Sequence, residues 1–172
     1  MELGLRGKRA LLLAATKGLA PAQYRLATLY ELGKGVPRNT LAARDLYERA
    51  AAQGHVKAMH NLGVLLSGSD GTSPDYAQAV AWFENAARHG LPDSQFNLAV
   101  FYDRGAGVEP DPAKAAFWYG VLAAKGDKDA ALRVKVLDAK LTSKRPHPRP
   151  NIAPAASVRM TAPGIDRAVA AT

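Results

Sequence analysis

An all-α solenoid of antiparallel helix pairs is the fold class this sequence predicts, and three observations predict it. Gly18, Gly54, Gly90 and Gly126 stand 36 residues apart each time. Asn39, Asp75 and Asp111 keep the same spacing, as do Leu26, Leu62 and Leu98, and then Leu46, Trp82 and Trp118. The apolar content is 48% and rich in alanine, with only 7% aromatic residues, which favours closely packed helices over a β-sandwich. Several columns holding one period in the range of 20–50 residues are the mark of a repeat protein.

Each unit is read as helix A, a glycine turn, then helix B. The B helices start at Asn39, Asp75 and Asp111, whose side-chain oxygens can accept from first-turn amides. Pro112 follows at a first helical position, where a missing amide hydrogen costs nothing. They end at the periodic glycines, which can take the left-handed conformation that closes a helix. The A helices show one apolar stripe at helical spacing: Ala22, Leu26, Leu29 and Tyr30; Ala58, Leu62, Leu65 and Leu66; Ser94, Leu98, Phe101 and Tyr102. They run into the turns Gly33-Lys34-Gly35-Val36, Ser69-Asp70-Gly71-Thr72 and Gly105-Ala106-Gly107-Val108.

The organisation expected along the chain begins with an incomplete unit over 1–18, holding helix B only. Full units follow at 19–54, 55–90 and 91–126, then a capping helix at 127–141, since terminal units of solenoids are commonly atypical. Small residues at Ala27, Gly63 and Ala99, and at Ala51, Ala87 and Ala123, let neighbouring helices approach. The pairs Leu46-Tyr47, Trp82-Phe83 and Trp118-Tyr119 fill the larger gaps, so that Trp82→Ala or Trp118→Ala is expected to cost about 3–5 kcal/mol.

Residues 142–172 hold Pro146, Pro148, Pro150, Pro154 and Pro163 among small and basic residues, a composition expected to be disordered. The net charge of +8 is concentrated there: from Lys140 onward six basic residues face the single acid Asp166. That basic segment suits acidic polymer, an anionic surface or a proline-reading domain, but lacks the interleaved aromatics of a nucleic-acid binder. No nucleic-acid partner is expected.

Several function classes are excluded by what the residues lack. With no cysteine there is no disulfide framework, thiolate nucleophile or cysteine-based zinc site. No segment reaches the roughly 18 apolar residues of a membrane span. The basic-then-apolar start, up to Ala10–Ala15, is read as a helix and not an export signal, because Ala14-Ala15-Thr16-Lys17-Gly18 recurs downstream as a helix ending. His55 and His60 are five apart, off the i, i+4 face of a metal pair, while His89 sits at a helix end and His147 in the tail. Asp103, Glu109 and Asp111 surround one turn without forming an acid–base pair. Gly33-Lys34-Gly35 follows a helix and lacks the phosphate-loop frame. The chain is therefore read as no enzyme, with no cofactor.

These columns resemble the Sel1-like repeat, a relative of the tetratricopeptide repeat. Unit three carries the pattern most fully, in Leu98-Ala99, Tyr102, Gly105-Ala106-Gly107-Val108, Trp118-Tyr119 and Ala123-Ala124-Lys125-Gly126. Unit two departs from it at Leu66 and at Ser69-Asp70-Gly71-Thr72. The resemblance implies a right-handed superhelix that binds a partner protein, peptide or helix on a concave face lined by the A helices. By analogy the inward positions are Tyr24, Thr28 and Glu31; His60, Val64 and Ser67; and Phe96, Val100, Asp103 and Arg104. An aromatic and aliphatic strip with polar edges suits such a ligand.

A narrower likeness joins Gly18-Leu19-Ala20-Pro21-Ala22-Gln23-Tyr24-Arg25-Leu26, Lys57-Ala58-Met59-His60-Asn61-Leu62, Pro74-Asp75-Tyr76, Asp93-Ser94-Gln95-Phe96-Asn97-Leu98 and Gly126-Asp127-Lys128-Asp129-Ala130-Ala131. These segments look like the Sel1 region of PodJ-type polar-localisation factors of alphaproteobacteria. That likeness implies a role in polar localisation or envelope organisation, with peptidoglycan as an alternative partner. A relative or fragment of such a protein would be periplasmic, and otherwise the chain is expected in the cytoplasm.

Overall fold

The computed structural model describes residues 4–143, and among these every regular element is a helix. In chain order they are α1 (Leu5–Thr16), α2 (Ala20–Leu32), α3 (Thr40–Ala52), α4 (Val56–Val64), α5 (Tyr76–Arg88), α6 (Pro92–Arg104), α7 (Pro112–Ala123) and α8 (Lys128–Ser143). Each helix packs chiefly on the one before it and the one after it, as stacked repeats require. The even-numbered helices are the A helices and the odd-numbered ones the B helices.

Start and stop chemistry is carried by the periodic residues. Asn39, Asp75 and Asp111 each accept a hydrogen bond from the amide three residues on, at 3.0, 3.0 and 2.9 Å. The closing glycines at 18, 54, 90 and 126 all have φ between 82° and 97°, a region costly for any residue with a Cβ. Unit two lacks a glycine at Ser69, the position held by Gly33 and Gly105 in its neighbours. There α4 is extended by a π-turn over Leu65–Ser69, and Gly68, one residue earlier, takes the left-handed φ of 84°. The wider turn moves the left-handed residue back to a glycine.

The core is a continuous column of small and aromatic residues. Ala27, Gly63 and Ala99 are closed to solvent. A Cβ on Gly63 would lie 2.8 Å from Cε1 of Phe83, so that ring occupies the space a side chain would need. The buried aromatics are Tyr47, Phe83 and Tyr119 on B helices and Tyr102 on an A helix. Trp82 and Trp118 are only half-buried against this core, which corrects the sequence expectation. The second member of each aromatic pair points between A and B helices and the first lies at the edge, so truncating either Trp costs less than truncating its neighbour.

The two ends differ from the interior. α8 is an A helix continued to Ser143, two residues past the expected boundary, and Asp127 caps it by accepting from the Ala130 amide at 2.9 Å. Lys135 and Asp138 on α8 are exposed, although the equivalent residues one and two periods earlier are buried. On α8, therefore, the columns that are buried in α4 with its π-turn extension and in α6 carry exposed polar residues. The expectation of disorder concerns residues that, from 144 on, lie outside the described ones.

Candidate functional site

The ten residues expected on the inward face lie on α2, on α4 with its π-turn extension, which holds Ser67, and on α6, and they gather in three settings. In the first, the buried Tyr47 hydroxyl on α3 draws the α2 residues together. It donates to Glu31 Oε2 at 2.6 Å, accepts from Asn61 Nδ2 at 2.8 Å and lies 3.1 Å from Thr28 Oγ1. Thr28 also donates to the Tyr24 carbonyl at 3.0 Å. Tyr24 stacks on His55 with ring centres 4.5 Å apart and tilts against Tyr47 at 5.9 Å. Tyr24 is thus half-buried and belongs to the packing between units. Burial and the bond to Glu31 push the Tyr47 pKa well above the ordinary phenol range, with Thr28 and Asn61 acting in the opposite sense.

In the second setting, His60 bonds through Nδ1 to the fully buried Ser94 hydroxyl at 2.8 Å and sits 5.7 Å from the Phe83 ring. Burial lowers its pKa below the usual histidine value, opposed by the field of Asp93. Ser67 donates to the Val64 carbonyl at 2.7 Å, so this hydroxyl is satisfied within its own helix. His55 serves as the N-cap of α4, its Nδ1 accepting from the Ala58 amide at 3.2 Å. Burial lowers its pKa too, opposed by its backbone hydrogen bond and reinforced by Lys57.

The third setting is more open. Tyr119 stands two periods after Tyr47, and Val100, Asp103 and Arg133 stand where Thr28, Glu31 and Asn61 do. Among the described residues nothing hydrogen-bonds the Tyr119 hydroxyl. Its ring is buried, which raises its pKa, while Arg133 and Arg104 lower it and Asp103 raises it. Phe96 is 44% exposed and meets the Tyr119 ring edge-on at 5.8 Å. Together with Leu132, Val136, Asp129 and Arg133 of α8, Phe96 lines a groove of about 460 Å³. Arg104 is exposed, and its charge acts on the Tyr119 phenol. Among the described residues Arg104, Arg133, Asp103 and Asp129 form no ion pair within 4 Å.

Leu132, Arg133 and Val136 were not among the expected face residues. Leu132 and Val136 stand one period after Phe96 and Val100, so continuing the columns into α8 would have found them. Two glutamines also escaped notice. Gln95 donates to the Ala87 carbonyl at 3.1 Å and accepts from Lys125 at 3.2 Å; Gln23 and Gln53 repeat that clasp two periods earlier. Asp111 is occupied as the cap of α7, with Lys114 Nζ 3.6 Å from its carboxylate. Among the described residues no three potential metal ligands cluster.

The 36-residue period corresponds to a known repeat: residues 20–55, 56–91 and 92–127 each match the Sel1 repeat. The chain belongs to the Sel1-repeat family. Among solved structures it is similar to a Sel1 repeat protein from Oxalobacter formigenes, at 32% identity and a TM-score of 0.66 over 76% of this chain and 98% of that one. It is also similar to a protective antigen of uropathogenic Escherichia coli that displays an SLR fold, at 38% identity and a TM-score of 0.65. That match covers 71% of this chain and 26% of the antigen. Nothing among curated protein sequences matches the chain. Sel1 repeats generally mediate protein–protein interaction, and protein partners are what membership implies. No described helix is long and apolar enough to cross a membrane.

Proposed function

We propose that this Sel1-repeat chain is a non-catalytic scaffold that holds a peptide or helix of a partner protein on the A-helix face. The ten residues from Tyr24 to Arg104 line that face, and the strongest binding falls at its C-terminal end. One observation carries the reading: an exposed phenylalanine, leucine and valine line a groove with Asp129 and Arg133, which no described residue pairs, and the phenylalanine leans on a tyrosine whose hydroxyl no described residue bonds. An apolar and aromatic centre with a polar rim is how protein interfaces are built. Tyr24, by contrast, is tied into packing, so its truncation confounds binding with folding.

The test is a selection of random peptides displayed on phage against the immobilised full chain. Peptides enriched on the parent should bind at least about tenfold more weakly to the Phe96→Ser, Leu132→Ser double variant, whose exposed positions leave melting near that of the parent. Peptides that ignore this variant and respond only to His60→Gln would move the site to unit two. No enrichment at all would remove the scaffold reading.

As a narrower reading we propose polar localisation or peptidoglycan binding at the cell envelope, which rests on the five sequence segments read as PodJ-like and on no other observation. Co-sedimentation with purified sacculi at low salt tests it, and a chain that stays in the supernatant removes it.

A further inference from the structure

α1 is a B helix whose outward columns can be compared with those of α3. Leu5, Arg9, Leu12 and Leu13 stand one period before Leu41, Asp45, Glu48 and Arg49. All four α3 residues are exposed, although α3 is packed by α2 on one side and α4 on the other. A preceding repeat would therefore leave these positions of α1 uncovered as well. In α3 and α5 this outer face carries the ion pairs Arg44–Glu48, Arg49–Asp45 and Arg88–Glu84.

α1 is built otherwise. Leu5, Leu12 and Leu13 are 90%, 43% and 58% exposed, on the same side as the exposed Arg6, Arg9 and Lys17. The helix contains no acidic residue, and among the described residues no carboxylate pairs with those three cations. Lys8 is used otherwise, its Nζ donating to the Gly35 carbonyl at 2.8 Å. Protein interfaces deplete charge at their centres, whereas here cations and leucines alternate across one face. At an anionic bilayer that alternation is matched. The leucines reach the acyl boundary while the longer basic side chains stay at phosphate level.

We propose that the outward face of α1 docks the chain on an anionic lipid surface. The B-helix position of α1 leaves the A-helix groove free, so lipid and partner protein can be bound together.

The experiment sediments the full chain with vesicles of phosphatidylglycerol and phosphatidylcholine in equal parts, and with phosphatidylcholine alone. Partition onto the mixed vesicles should exceed that onto neutral ones by about tenfold and fall steeply between 0.05 and 0.5 M salt, values chosen to span about 14 to 4 Å of screening. Leu12→Ser with Leu13→Ser, and separately Arg6→Glu with Arg9→Glu, should each lower it about tenfold. Equal partition onto both vesicles, or binding unchanged in the α1 variants, overturns the proposal. Because the chain has no other cysteine, Leu13→Cys carrying a polarity-sensitive dye reads the contact directly. A blue shift with anionic vesicles supports it. No shift, or the same shift on adding unlabelled chain without vesicles, assigns the face to solvent or to a second copy instead.

Discussion

The first and third repeats surround a buried tyrosine with the same columns of residues and treat its hydroxyl in opposite ways. Around Tyr47 the columns hold Thr28, Glu31 and Asn61, and all three reach the hydroxyl. Around Tyr119 they hold Val100, Asp103 and Arg133, and no described residue bonds it. Unit one therefore satisfies its hydroxyl from within, and among the described residues unit three leaves its hydroxyl open to solvent. The difference teaches that the same backbone can tie a buried tyrosine into a polar brace or leave its hydroxyl free, according to three side chains.

Four substitutions test that contrast. Tyr47→Ala and Tyr119→Ala should each cost about 3–5 kcal/mol, because both rings are buried between A and B helices. Thermal or urea unfolding measures this, and a much smaller loss at Tyr119 would mean that its ring is not core. Tyr47→Phe should cost about 1–3 kcal/mol, since Glu31 and Asn61 lose a bonded partner in a half-buried setting. Tyr119→Phe should change stability by no more than about 0.5 kcal/mol, there being no bond to lose. Equal losses at the two positions would erase the distinction between the repeats.

Two pH effects sharpen the comparison further. The Tyr47 pKa is raised in the folded state, so its contribution is complete below the ordinary phenol value near pH 10 and is lost as pH rises beyond it. Melting temperature should fall on the alkaline side, and Tyr47→Phe should flatten that fall. His60 is shifted the other way. Its folded pKa is lowered, so the stability it contributes is present above about pH 6.5 and is lost as pH falls below that value. His60→Gln should reduce the loss between pH 7 and 5, and an unchanged acid slope would show that His60 titrates freely. Trp82→Ala should cost less than Phe83→Ala, since Trp82 is only half-buried and Phe83 is fully buried.

The helices were legible from the sequence because their ends carry the period. A capping oxygen and a left-handed glycine act locally, so Asn39 and Gly54 mean the same thing in a sequence as in a fold. The displaced glycine of unit two was less legible. Ser69 breaks the turn pattern visibly, but the remedy at Gly68 requires a π-turn that no spacing rule indicates. The helix on which each expected face residue sits could be read, and whether its polar atoms are engaged could not. Whether Glu31 or Asp103 reaches a hydroxyl depends on the residue one unit later and on the tyrosine or phenylalanine across from it. The edge position of Trp82 and Trp118 escaped for a similar reason: adjacent aromatics on a B helix point about 100° apart, and size alone does not say which faces inward.

The identical closing glycines make the length of this protein adjustable. Excising residues 55–90 would join Gly54 to Leu91, which already stands where His55 does and begins a helix of the same kind. Asn97 would then arrive at the place of Asn61, leaving Tyr47 its amide donor, and Gln95 would find the Ala51 carbonyl in place of that of Ala87. A shorter ruler would result, its graduations intact and its two ends brought one step closer.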